Sequence, residues 1–208
     1  MTVRVRRATA VRLGAAVLLA VSLLSACGGD DKPEGAGKTS SPSVSATPSP
    51  SVSVPPGVDL TEPGTELAYG DTATVAYAPS QDLASVVSLT VRSAEPAKIK
   101  DLEHGFALDT PYKKNADYYY VRVHVENLGS ADLGRRDVPV WGVNADDHLL
   151  PAVVFDSAFP KCPSKRLPKS FTQGDTFSTC LVFASPDHGE LSAVRFQPNE
   201  SYTPIDWR

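Results

Sequence analysis

The feature that most constrains this chain is a two-residue alternation of apolar and polar side chains, recurring through its C-terminal part. Tyr119, Val121, Val123 and Val125 alternate with Tyr120, Arg122, His124 and Glu126. Val87, Leu89 and Val91 alternate with Ser88, Thr90 and Arg92, while Ala73, Val75 and Tyr77 share a face opposite Thr72 and Thr74. Phe177, Leu181 and Phe183 form a further set, and Val194 with Phe196 repeats it. An extended chain points successive side chains to opposite sides, so this period belongs to half-buried strands and not to helices. Turn-forming runs lie between the sets: Asn127-Leu-Gly129, Asn144-Ala-Asp-Asp147, Gln173-Gly-Asp175 and Pro186-Asp-His-Gly189. Short strands at this spacing predict an all-β domain over residues 59–208, an immunoglobulin-like antiparallel β-sandwich. Pro96 to Tyr112 is the long irregular exception, with a short helical turn expected within Ala97 to Leu102.

Upstream the chain reads differently. Arg4, Arg6, Arg7 and Arg12 precede or flank an apolar run from Leu13 to Leu24, which leads into Leu24-Ser-Ala-Cys27. A basic start, a run of about a dozen apolar residues and small residues before a cut make a secretory signal. The run is shorter than the roughly 20 residues a spanning helix needs. Leu-Ser-Ala-Cys resembles the bacterial lipobox, so residues 1–26 are expected to be a lipoprotein signal peptide and Cys27 the lipidated residue. Its thiolate would be the nucleophile that takes the lipid, and two or more acyl chains suffice for stable anchoring. An ordinary signal with a chance cysteine is the alternative. Residues 27–58 are dominated by Gly, Ser, Pro, Thr, Ala and Val, with a few charged residues near the start and no aromatic or large aliphatic side chain until the domain begins. Such a stretch buries too little surface to offset the entropy of ordering, and reads as a disordered linker. It would reach roughly 30 Å as a coil and about 100 Å if extended. Its Ser and Thr residues among prolines are possible acceptors of O-linked sugars.

The whole chain has 20 Lys+Arg against 24 Asp+Glu. Removing the four upstream arginines leaves about 16 basic and 24 acidic side chains, a net charge of about −8. That argues against nucleic acid as a partner and against a polybasic contact with anionic lipid, leaving the lipid on Cys27 as the expected membrane contact. The expected location is the extracytoplasmic face of the cell membrane.

An exported chain meets an oxidising environment, so the pair Cys162 and Cys180 is read as a disulfide. It would close a loop of about 18 residues, contribute roughly 3 kcal/mol, and pin Phe159 to Pro168 against the strand Thr176 to Ala184. A metal role lacks further ligands nearby in sequence, and the spacing is far from that of a redox dithiol.

The run Tyr118-Tyr-Tyr-Val-Arg-Val-His-Val-Glu-Asn127, followed by Phe171-Thr-Gln-Gly-Asp-Thr-Phe-Ser-Thr-Cys-Leu-Val-Phe183, resembles the DUF4352 type of domain found on lipoproteins. These domains are similar to the Ig-like fold of the mycobacterial secreted antigen MPT63. The likeness covers about Thr72 to Pro198. The two cysteines and the closing Ile205-Asp-Trp207 look like the version in actinobacterial lipoproteins. The resemblance implies the fold; it brings no shared activity, and no functional residue is carried across.

No catalytic signature, cofactor motif or metal motif stands out. His104, His124, His148 and His188 lack partners at ligand spacing, and His124 is expected on the exposed face of its strand. Asn144-Ala-Asp-Asp-His148 gathers oxygens suited to Ca²⁺ but lacks the loop length, glycine and distal Glu of an EF-hand, and reads better as a hairpin turn. Tyr118, Tyr120 and Trp141 are the candidate binding patch, since aromatics on an outer strand face stack on sugars or partners. The alternative puts Tyr119 in the core, with Tyr118 and Tyr120 covering a sheet edge. The functional expectation is a non-catalytic binding module displayed at the cell envelope, with an envelope protein or glycan as partner. The alternatives are a structural or envelope-stress role without a ligand and, less favoured, a hydrolase or redox enzyme assembled only in three dimensions.

Overall fold

The computed structural model describes residues 51–102, 106–155 and 159–208. Cys27, the signal segment, nearly all of the linker and His104 lie outside the described residues. Those described belong to one compact unit, Ala46–Arg208.

The longest alternating runs form a four-stranded sheet in the order β2 (Thr72–Ser80), β3 (Leu83–Pro96), β4 (Asp117–Asn127) and β7 (Thr176–Ser185). All three pairings are antiparallel, with Leu89 opposite Val125 and Val121 opposite Leu181. A bulge between Val91 and Ser93 takes up Arg92. The extra residue resets the alternation, so Ala94 faces inward after Val87, Leu89 and Val91. The second sheet has five strands in the order β1 (Glu66–Leu67), β9 (Ile205–Trp207), β8 (Leu191–Phe196), β5 (Trp141–Asn144) and β6 (Leu149–Leu150).

The sheets face each other across one core. Val87, Leu89, Val121, Val123, Val125, Leu181 and Phe183 come from the four-stranded sheet, and Val194, Phe196, Ile205 and Trp207 from the other. Gly142 on β5 is needed for this approach: a Cβ there would lie 3.0 Å from the Phe183 ring. The fold is therefore the all-β, immunoglobulin-like sandwich that the alternation implies. One pairing departs from the antiparallel expectation, since β1 runs parallel to β9, with Leu67 beside Trp207. The chain thus enters its sheet beside its own last strand. Trp207 is fully buried there and donates its indole N–H to the Asp71 carbonyl at 3.0 Å.

The irregular segment after β3 holds α1 (Ile99–Leu102), within the expected helical turn, and α2 (Pro111–Lys114). Thr110 caps α2 by accepting from the Lys113 amide, and Pro111 follows where its missing N–H costs nothing. No helix among the described residues is long and apolar enough to cross a membrane.

Asn127 closes β4. Its Oδ1 accepts from Ser85 Oγ at 2.7 Å and from the Gly129 amide, and its Nδ2 donates to the Ala131 and Phe171 carbonyls, each at 2.7 Å. A fully buried amide with every polar atom paired fixes the loop to the strand ends. On the outer face of the five-stranded sheet, Arg195 makes two hydrogen bonds to Asp206 at 2.7 and 2.8 Å and a third to Asp147 at 2.9 Å. Burial on its own would raise the Asp206 carboxyl, but hydrogen bonds and charge from Arg195 and Arg208 outweigh it and hold it below the usual range.

Candidate functional site

On the outer face of the four-stranded sheet Arg122 and Ser178 are exposed, while one end of that face is closed off from water. Tyr118 and Tyr120 of β4 point there, as the alternation requires, together with Cys180, Val182 and Ala184 of β7. A second apolar cluster covers them, built from Leu102 of α1, Phe106, Leu108, Phe155, Phe159 and Cys162. Cys162 and Cys180 are bonded, with Cα atoms 4.8 Å apart. Ser164 donates its amide to the Cys180 carbonyl at 2.8 Å, and the Val153 amide donates to Val182 at 2.7 Å. The disulfide therefore pins this Pro-rich segment along the edge of β7, the placement expected for it.

This covering corrects the expected aromatic patch. Tyr118 is only 2% exposed and stands edge-on to Phe106 at 5.9 Å. Its hydroxyl donates to the Lys113 carbonyl at 2.8 Å, and burial first, then the neighbouring Tyr112, pushes it up to about 12. Tyr120 is half-buried against Phe159, 6.0 Å between ring centres. Trp141 sits in the other sheet, so the three residues do not share one surface. Tyr119 is also only partly buried; its hydroxyl donates to the Gly189 carbonyl at 3.3 Å.

Trp141, 37% exposed, lines an open cleft of about 710 Å³. Tyr77 of β2, Val138 to Val140, Pro151 to Val154, Arg166 and Pro198 complete its wall, and Leu181 and Phe196 form a floor that belongs to the core. Val154 on its rim is 79% exposed. Arg166 binds Asp137 at 2.7 Å, both largely in solvent, and Lys165 adds a second cation. The Tyr77 hydroxyl makes a long 3.5 Å contact to the Asp137 carbonyl. Burial raises it to about 12, with the Asp137 charge adding to the effect and Arg136 opposing it, so it stays protonated at neutral pH. The Ser164 hydroxyl donates to the Val153 carbonyl at 2.8 Å. The wall holds neither His nor Cys. Its equipment is apolar surface, an indole and a phenol for stacking, and two cations at the rim, which suits binding.

Elsewhere the expected polar residues serve the fold. The Asn144 side chain accepts from the Asp146 and His148 amides at 3.1 and 2.8 Å, closing the β5–β6 hairpin expected there. His124 meets Ser178 across the strands at 2.9 Å. His188 meets Asp117 at 3.1 Å close to Ser185 in sequence, but Ser185 Oγ is buried without a hydrogen-bond partner and the other two are exposed. These three residue types do not form a relay.

Sequence reasoning did not find Tyr77, Val154 or Arg166. They come from three separate segments, and only the run of prolines at 139, 151 and 198 flanking the cleft residues hints at a shared irregular wall. No family model matches the chain, and no curated protein and no solved structure matches it either.

Proposed function

We propose that this chain is a lipoprotein held at the extracytoplasmic face of a membrane by lipid on Cys27, displaying a non-catalytic binding module of the DUF4352 kind. The cleft at Trp141 would be its binding site. The signal-like segment and Leu24-Ser-Ala-Cys27 support the anchor, and the disulfide supports an oxidising compartment. One observation carries the binding reading: an exposed indole and an exposed valine share an open cleft whose floor is the hydrophobic core. Apolar surface kept open beside charged groups marks a place for a partner. An envelope protein segment or a glycan chain would stack on Trp141, with Arg166 and Lys165 holding an anionic or hydroxyl-rich end.

The test places a photo-reactive amino acid at Val154 in living cells. The binding reading expects one enriched protein or glycan adduct, lost when Trp141→Ala is added. Absence of any Trp141-dependent adduct would leave the domain with a structural or envelope-stress role. A hydrolase or redox enzyme is the less supported reading, since Ser164 is engaged and both domain cysteines are bonded.

A further inference from the structure

One piece of chain serves both the cover over Tyr118 and Tyr120 and the wall of the Trp141 cleft. Phe159 and Cys162 belong to the cover, and Ser164, Lys165 and Arg166, a few residues on, line the cleft. Ser164 stands where the chain passes from one to the other. Its φ is 47°, in the left-handed region that costs any residue with a side chain, so the turn has to be held. Cys162 is bonded to Cys180 of β7, and the Ser164 amide donates to the Cys180 carbonyl at 2.8 Å. The Ser164 hydroxyl donates to the Val153 carbonyl, also at 2.8 Å. Val153 in turn donates its amide to Val182, which seats Val153 and Val154, another part of the cleft wall, beside β7. Each hydrogen bond contributes little net against water, and the disulfide alone ties the turn to the strand covalently.

We propose that oxidation of Cys162 and Cys180 assembles the cleft, so that the chain with both as thiols keeps its sandwich and lacks the binding site. The inference rests on the binding reading of the cleft and adds what controls that site. The sandwich does not need the bond. β7 pairs with β4 from Ser185 opposite Asp117 to Thr176 opposite Glu126, and the core between the sheets holds neither cysteine. The wall does need it, because Ser164 and Val153 lean on each other and on the strand that Cys180 anchors. In the assembling step each thiol gives up one proton and one electron, the S–S bond forms, and a disulfide-bearing oxidant is reduced to its dithiol. A chain in a reducing compartment thus has no site, and one that meets such an oxidant acquires it. Once formed, the bond is shielded. Cys162 is 0% and Cys180 5% exposed, so thiolate attack on either sulfur waits for the segment to open.

The test uses the unlipidated chain from Gly28 onward, which contains the whole compact unit, labelled with fluorotryptophan. Its two indoles report separately by fluorine NMR, since Trp141 lines the cleft and Trp207 lies in the core. Trp141→Phe assigns the lines. The chain is refolded from denaturant with and without dithiothreitol. The reduced chain should keep the Trp207 line in place and shift the Trp141 line, and Cys162→Ala/Cys180→Ala should match it under both conditions. Two unmoved lines in the reduced chain would overturn the proposal, because the cleft would then form without the bond. Loss of both native lines would overturn it too, because the sandwich itself would then need the bond. Cross-linking from Val154 separates this inference from the binding reading. An adduct that persists in Cys162→Ala/Cys180→Ala overturns the inference and leaves the binding reading in place. A shifted Trp141 line in a chain whose oxidised form yields no adduct upholds the assembly step and removes the binding reading.

Discussion

The inner face of β4 and the Tyr118–Tyr120 end of its outer face are both covered, by different means. Val121, Val123 and Val125 meet a second sheet, and β4 is hydrogen-bonded to a strand on either side. Tyr118 and Tyr120 meet short helices and a Pro-rich segment that lack a sheet's ladder and are held by a disulfide and a few backbone hydrogen bonds. The difference teaches that regular strands supply their own neighbours, whereas irregular cover needs a covalent tie. It also decides which aromatics are available to a partner. Cover on the outer face removes Tyr118, and no such cover protects Trp141.

The sharpest way to break this comparison is to cut into each cluster in turn. Phe183→Ala removes a fully buried ring from between the sheets and should cost about 3–5 kcal/mol in a denaturant melt. A loss near zero would mean that the sheets do not pack as described.

Replacing both Cys162 and Cys180 with Ala should cost about 3 kcal/mol or less. Its signature should be local. Amide exchange should speed first at Val153 and Ser164, whose N–H groups bond to β7, while the β2–β3 pairing keeps its protection until global unfolding. Uniform acceleration across both sheets would erase the distinction between the two clusters.

The smallest effect concerns acid. Asp206 is held below its unfolded pKa of about 3.9, so its contribution is fully present above that value. It is lost as pH falls through the lower folded value. Wild type should therefore lose stability more steeply below about pH 4 than Asp206→Asn. Parallel pH profiles would remove the pair from the account.

Much of the fold was legible because alternation survives wherever a strand is long. β2, β3, β4, β7 and β8 all fall on the runs read from sequence. β1, β6 and β9 are too short to show a period, and the bulge at Arg92 interrupts one. Pairing Cys162 with Cys180 needed only that the domain holds two cysteines and that an oxidising compartment is expected for it. The site was harder to read. Alternation placed Tyr118 and Tyr120 on the correct face, but says nothing of whether a distant loop covers that face. Tyr77, Trp141, Val154 and Arg166 meet only through the tertiary arrangement of loops, which follows no period.

Hydroxyl-radical footprinting read by mass spectrometry tests most directly where the molecule presents its aromatic surface. Trp141 should be oxidised early in the native protein, while Trp207 and Tyr118 stay protected until the domain unfolds. Oxidation of Tyr118 as fast as Trp141 would contradict the covered outer face and restore the tyrosines as the binding patch.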